Sequence, residues 1–194
     1  MTKYILVGGY LHKAKDGGRA FCEELVKGFS SDRPVKILDC MFARPIDSWD
    51  DKIKEDNVLF SKFINNFELI LAEQDKFIEQ VKSSDVIFLR GGGTEVFLER
   101  LNKVKDWTKE LNRKTLAGTS AGADVISKYC YGVDNDKIIN CIGLLPIKFI
   151  PHWHSESDFY SKLDWEKALQ KLKDYREELP VYTLAEGEFK VIVL

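Results

Sequence analysis

No apolar run in the 194 residues approaches the about 18 needed to cross a bilayer, which excludes a helical membrane protein. The opening run, Tyr4 to Val7, is also far too short for the core of a secretion signal. Cysteine is scarce: Cys22, Cys40, Cys130 and Cys141 form no Cys-x-x-Cys pair and are too few for a disulfide framework. They are expected to be reduced thiols, mostly buried, in a cytoplasmic protein. There is no basic excess, with 29 Lys and Arg against 31 Asp and Glu, so neither nucleic acid nor an anionic membrane is an expected partner. No Gly-Lys-Ser/Thr occurs, no internal repeat, and no Pro/Ser linker. What remains is a single domain over residues 1–194, whose 44% hydrophobic content is enough to bury roughly 70% of the unfolded surface.

Short apolar runs ending in glycine or polar residues alternate with segments of helical period, which predicts an α/β fold with a mostly parallel sheet and helices on both faces. The predicted strands are Tyr4 to Val7, Val35 to Leu38, Leu69 to Leu71, Val86 to Leu89, Thr115 to Gly118, Val181 to Leu184 and Lys190 to Leu194. The predicted helices are Gly18 to Phe29, Leu59 to Phe67, Gln74 to Val81, Glu95 to Leu111 and Phe159 to Leu179. In the last of these, Phe159, Leu163, Leu169, Leu172, Tyr175 and Leu179 form one apolar stripe. The charged stretch Asp47 to Asp56 reads as a solvated connection.

Chemistry concentrates at Gly118-Thr119-Ser120-Ala121-Gly122, a Gly-x-Ser-x-Gly sequence between an apolar strand and a short helical segment. That context is a nucleophile elbow, where glycines two residues either side of Ser120 permit a turn too tight for side chains. A serine hydroxyl needs a base, and only His12, His152 and His154 are available. His152 leads, because Ile147 to Ile150 and Pro151 place it at a strand end; His154 would share its face in an extended chain, and His12 is expected to be exposed. His152 and His154 could alternatively start a metal site with Glu156 or Asp158, but no third ligand stands at a diagnostic spacing, so neither metal nor cofactor is expected. Arg90-Gly91-Gly92-Gly93-Thr94 also joins a strand to a helix; it lacks a nucleotide fingerprint and fits an oxyanion hole, with Gly92 and Gly93 as donors beside Ala121. Thr94, Thr119 and His154 are the candidate substrate contacts. For the acid that orients His152, Glu186 follows an apolar strand and is preferred, whereas Asp136 lies with Asp134 in a polar turn and is the reserve.

Gly91 to Thr94, Gly118 to Ala123, Ile150 to His152 and Ala185 to Gly187 occur in the order found in the peptidase E family of aspartyl dipeptidases, which this chain resembles. The resemblance implies a three-layer sandwich similar to class I glutamine amidotransferase domains and serine exopeptidase activity on short peptides. It also implies Ser120 as nucleophile, His152 as base, Gly93 and Ala121 as oxyanion donors, and Glu186 as the orienting acid. An α/β-hydrolase esterase would share the elbow, but only 74 residues follow Ser120 and that family places its acid before its histidine. A non-catalytic ligand-binding homologue is the third reading. The substrate is expected to be a short peptide and the protein a monomer or homodimer. Glu156 and Asp158 stand where aspartyl dipeptidases carry basic residues, so a strict preference for N-terminal Asp is not expected, unless Arg44 or Arg90 supplies the cation.

Overall fold

A computed structural model describes all 194 residues. Six strands form the main sheet in the order β10-β1-β5-β4-β2-β3. They are β1 Lys3–Val7, β2 Val35–Cys40, β3 Phe67–Leu71, β4 Val86–Leu89, β5 Thr115–Thr119 and β10 Phe189–Val193. All neighbours are parallel except β10, which runs antiparallel along β1. Alternation within β1 divides the core: Ile5 and Val7 face the layer of Phe21, Leu25 and Phe60, while Tyr4 and Leu6 face the layer of Phe42, Phe77 and Phe97. The first layer comes from helices α1 Arg19–Val26 and α2 Trp49–Ser61, and the second from α3 Phe77–Ser83, α4 Thr94–Asn102 and α5 Ala121–Ile126.

A second, four-stranded sheet is not separated in the sequence reading. It comprises β6 Tyr129–Gly132, β7 Lys137–Asn140, β8 Lys148–Ile150 and β9 Val181–Thr183, in the order β7-β6-β8-β9. Cys130, Ile139 and Phe149 join the main core, and the outer face packs under helix α6, Trp165–Asp174, through Tyr131, Ile150, Ala168 and Leu172.

The predicted helix Leu59 to Phe67 is only the end of α2, which stops at Ser61, and Phe67 opens β3. Three other predicted boundaries shift for local reasons. The stripe from Phe159 yields a helix only from Trp165, because Asp164 caps it by accepting from the Lys167 N–H at 3.0 Å; Phe159 lies outside and is 71% exposed. The run Glu95 to Leu111 breaks where Asp106 turns left-handed before a 3-10 turn at Trp107–Glu110. The stretch Asp47 to Asp56 is mostly helix rather than a solvated connection. Its continuation buries Phe60, and the inward place at Asp56 is filled by a carboxylate paired with Arg90.

Candidate active site

β1 and β5 are adjacent and parallel, with Val7 opposite Thr119, so both chains leave the sheet at the same carboxyl edge. Ser120 comes next. Its N–H donates to the Val7 carbonyl at 2.9 Å, and its backbone sits at φ 49°, ψ −115°, a region that side-chain-bearing residues rarely occupy. The turn depends on its glycines: a Cβ at Gly118 would strike the backbone of Gly122, and one at Gly122 the carbonyl of Leu89.

His152 arrives from the other sheet. After β8 and Pro151 its N–H donates to the Gly8 carbonyl at 2.8 Å, holding the second sheet against the β1 turn. Its Nε2 lies 2.9 Å from Ser120 Oγ, and its Nδ1 lies 3.3 Å from Glu186 Oε1. Tyr160 stacks on the ring at 5.0 Å between centroids, Tyr10 tilts against it at 5.3 Å, and Gly9 passes its edge. Only 4% of the residue is exposed, and this burial lowers the imidazole pKa, partly countered by Glu186.

Glu186 sits between β9 and β10 in a turn fastened by the Gly187 N–H to the Gly9 carbonyl at 2.8 Å. Ser155 Oγ donates to its Oε1 at 2.7 Å and Lys13 Nζ pairs with Oε2. Burial pushes this carboxyl upward, but hydrogen bonds from Lys13, Ser155 and His152 outweigh it and hold the pKa below the ordinary range. Asp136, the reserve acid, lies apart: it accepts from the Tyr131 hydroxyl in the β6–β7 turn, and its side chain is 69% exposed. The acid of this turn that does reach the cleft is Asp134, which sequence reasoning set aside; it stands exposed at the cleft edge, where partial loss of hydration raises its carboxyl pKa against the charge of His152 and a hydrogen bond with Tyr160.

The chain after His152 does not stay extended. His152 and His154 both take φ 54°, and the turn carries His154 outward against Trp153 and Trp165, 3.6 Å from Glu166. His154 therefore does not share the face of His152. Glu156 and Asp158 are likewise exposed and lie outside the cleft lining, which removes the geometric basis for their repelling a substrate. No cluster of three or more His, Cys, Asp or Glu could hold a metal ion. His12 is exposed at the cleft rim.

Gly93 is not a free donor, contrary to the expectation from sequence, because its N–H is committed to the Ala43 carbonyl at 2.9 Å. The N–H groups of Gly92 and Ala121 donate to no protein acceptor. Thr119 Oγ1 accepts from the Gly91 N–H at 3.0 Å, which ties the glycine loop to the elbow. Thr94 Oγ1 donates to Asp124 Oδ2 at 2.7 Å, and burial pushes the Asp124 carboxyl up to about 8, so it is largely protonated at neutral pH. Ser120 opens on a small pocket of about 120 Å³ that holds Thr94 and Asp124. On the other side lies a cleft of about 930 Å³ bounded by Tyr10, His152, Tyr160, Arg44 and Arg90.

A family model for peptidase family S51 matches residues 50–192, well over half of the sequence. The chain belongs to peptidase family S51. It is a serine peptidase of the peptidase E family, as the motifs at Gly91, Gly118 and Ile150 imply. A peptidase from an acI-B1 Actinobacterium shares its fold at a TM-score of 0.73 and 20% identity, over 99% of this chain and 83% of that one. A protein assigned as peptidase E from Listeria monocytogenes EGD-e aligns at a TM-score of 0.69 and 14% identity, over 99% of this chain and 97% of the other. No curated protein matches this S51 sequence significantly. No helix is long and apolar enough to cross a membrane.

Proposed function

We propose that this S51 chain is a serine exopeptidase that hydrolyses short peptides, dipeptides in particular, through Ser120, His152 and Glu186. The observation that carries this reading is the 2.9 Å contact between Ser120 Oγ and His152 Nε2, made by a serine held at positive φ. Glu186 favours the tautomer with its proton on Nδ1, which leaves the Nε2 lone pair facing the hydroxyl. Nε2 takes the hydroxyl proton as Oγ adds to the peptide carbonyl, and the carbonyl oxygen gains negative charge. The open N–H groups of Gly92 and Ala121 stand ready to receive that oxyanion. As the C–N bond breaks, the imidazolium returns the proton to the leaving amine; water then repeats the addition on the acyl-serine and releases the acid. A cleft of about 930 Å³ has the scale of a small-ligand site and suits a substrate of two or three residues.

The test is a screen of dipeptides and tripeptides with varied N-terminal residues, using wild type and Ser120→Ala. Hydrolysis by wild type that falls about 10³-fold or more in the variant supports the reading. A variant keeping more than a tenth of the activity would refute it.

A further inference from the structure

The cleft beside Ser120 contains one guanidinium that nothing in the protein neutralises. Arg44 lines the cleft half-buried; its Nε is sealed from solvent without a hydrogen-bond acceptor, and none of its guanidinium nitrogens takes part in an ion pair or hydrogen bond. Its neighbours explain why. Arg90 takes up the nearby carboxylates, pairing with Asp56 and, at 2.9 Å, with Glu55, and donating to the Lys52 carbonyl at 2.7 Å. Asp56 and Glu55 therefore reach Arg44 only at longer range, while burial and the like charge of Arg90 lower its pKa. Lys52 is paired with Glu55, and Lys62, the remaining lysine of the lining, is exposed.

The backbone that carries Arg44 is fixed from several sides. The Ala43 carbonyl accepts from the Gly93 N–H, and the Arg44 carbonyl accepts from Arg100 Nη1 at 2.6 Å and Trp49 Nε1 at 3.2 Å. The segment thus packs directly on the glycine loop that supplies Gly92. A half-buried cation with no partner is unfavourable in the free protein, and an anionic ligand would relieve it through two charge-assisted hydrogen bonds in one plane.

We propose that Arg44 is the anion clamp of the substrate cleft and binds a carboxylate of the peptide, either its C-terminus or an acidic side chain. This rests on the hydrolase reading of Ser120. It makes Arg44 a specificity-determining residue, and Arg90 the strut that keeps Asp56 and Glu55 away from it.

The test compares wild type, Arg44→Ala and Arg44→Lys on the best neutral dipeptide of the screen, on its C-terminal amide, and on a matched peptide with an acidic side chain. Arg44→Ala should lower kcat/KM by roughly 10- to 100-fold, mainly through KM, on peptides bearing the recognised carboxylate, and less than threefold on those lacking it. Loss on every free acid but not on the amide identifies the C-terminus; loss confined to the acidic peptide identifies the side chain. Arg44→Lys should recover only part, because an ammonium keeps the charge without the planar fork. Equal losses on all three peptides, or no loss on any, would overturn the clamp.

Labelling of Ser120 by a small uncharged fluorophosphonate should proceed at the wild-type rate in Arg44→Ala, which separates a lost clamp from a damaged fold. Failure of wild type to label or to cleave any peptide would count against the hydrolase reading instead. The clamp is then judged by calorimetry with the same free-acid peptides and Ser120→Ala. Binding that survives addition of Arg44→Ala refutes it, and binding abolished by that change upholds it.

Discussion

Gly9→Ala places a methyl group against the imidazole of His152, the proposed base. The new Cβ would stand 2.8 Å from His152 Nδ1 and 3.0 Å from Nε2, and closer still to Cε1. Ordinary van der Waals contact begins near 3.4 Å, so the ring must retreat by about 1 Å, a displacement that costs on the order of 10²-fold when it spoils a reacting geometry. The Ser120 to His152 contact of 2.9 Å would then stretch beyond hydrogen-bond range. Position 9 also has φ +131°, where a side chain adds strain of about 1–3 kcal/mol. At about 2–4 °C per kcal/mol for a chain of this size, the melting temperature should fall by about 2–12 °C. Gly17→Ala is the control: φ there is +68°, yet a Cβ meets nothing within 4 Å. It should lose some stability and keep its turnover. Peptide hydrolysis and thermal melting measured on both variants decide the matter, and Gly9→Ala retaining more than a third of wild-type kcat would refute the placement of His152 as base.

Burial lowers the His152 pKa, so activity should rise with pH through a midpoint below the reference value of about 6.5 and level off by neutrality; a kcat/KM midpoint at or above pH 7 would contradict this. Glu186→Gln should cut turnover by about 10²- to 10⁴-fold through the wrong imidazole tautomer, with the fold intact by circular dichroism. Asp136→Asn should leave steady-state turnover nearly unchanged, and the opposite ranking would displace Glu186 from its role. Asp124 is raised to about 8 in the fold, so the folded state holds a proton that the unfolded state releases near its reference value of about 4. Its contribution to stability is therefore complete below about pH 4 and lost as pH rises toward 8; denaturant melts of Asp124→Asn should show less of this decline than wild type.

The elbow was legible because steric need writes itself in residue type: Gly118 and Gly122 are small where a Cβ would strike backbone. The mostly parallel character of the main sheet followed from apolar runs buried on both faces, but the order of its strands did not. Of the second sheet, β9 and the end of β8 were legible as apolar runs, whereas β6 and β7 have four residues each, too short to show a period, and nothing in the sequence separates these strands from the main sheet. α2 escaped because its inward place at Asp56 is held by an ion pair with Arg90 rather than by an apolar side chain, a partnership between residues 34 positions apart. The left-handed turns at His152 and His154 carry no glycine to announce them, which is why those two side chains were expected on one face. Gly93 and Gly92 are indistinguishable in sequence; only the bond to the Ala43 carbonyl tells which N–H is free. Arg44 could be named as a cation of interest, but its lack of partners depends on where Asp56 and Glu55 point.

The central claim is that Ser120 is a nucleophile activated by His152. The most direct measurement is the rate and site of covalent modification by a fluorophosphonate, followed by mass spectrometry on wild type, Ser120→Ala and His152→Ala. The account predicts one phosphonyl group per chain on the Ser120 peptide of wild type, none on Ser120→Ala, and labelling slowed by about 10²-fold or more in His152→Ala. Folded wild-type protein that stays unlabelled, or a His152→Ala variant that labels as fast as wild type, would contradict it.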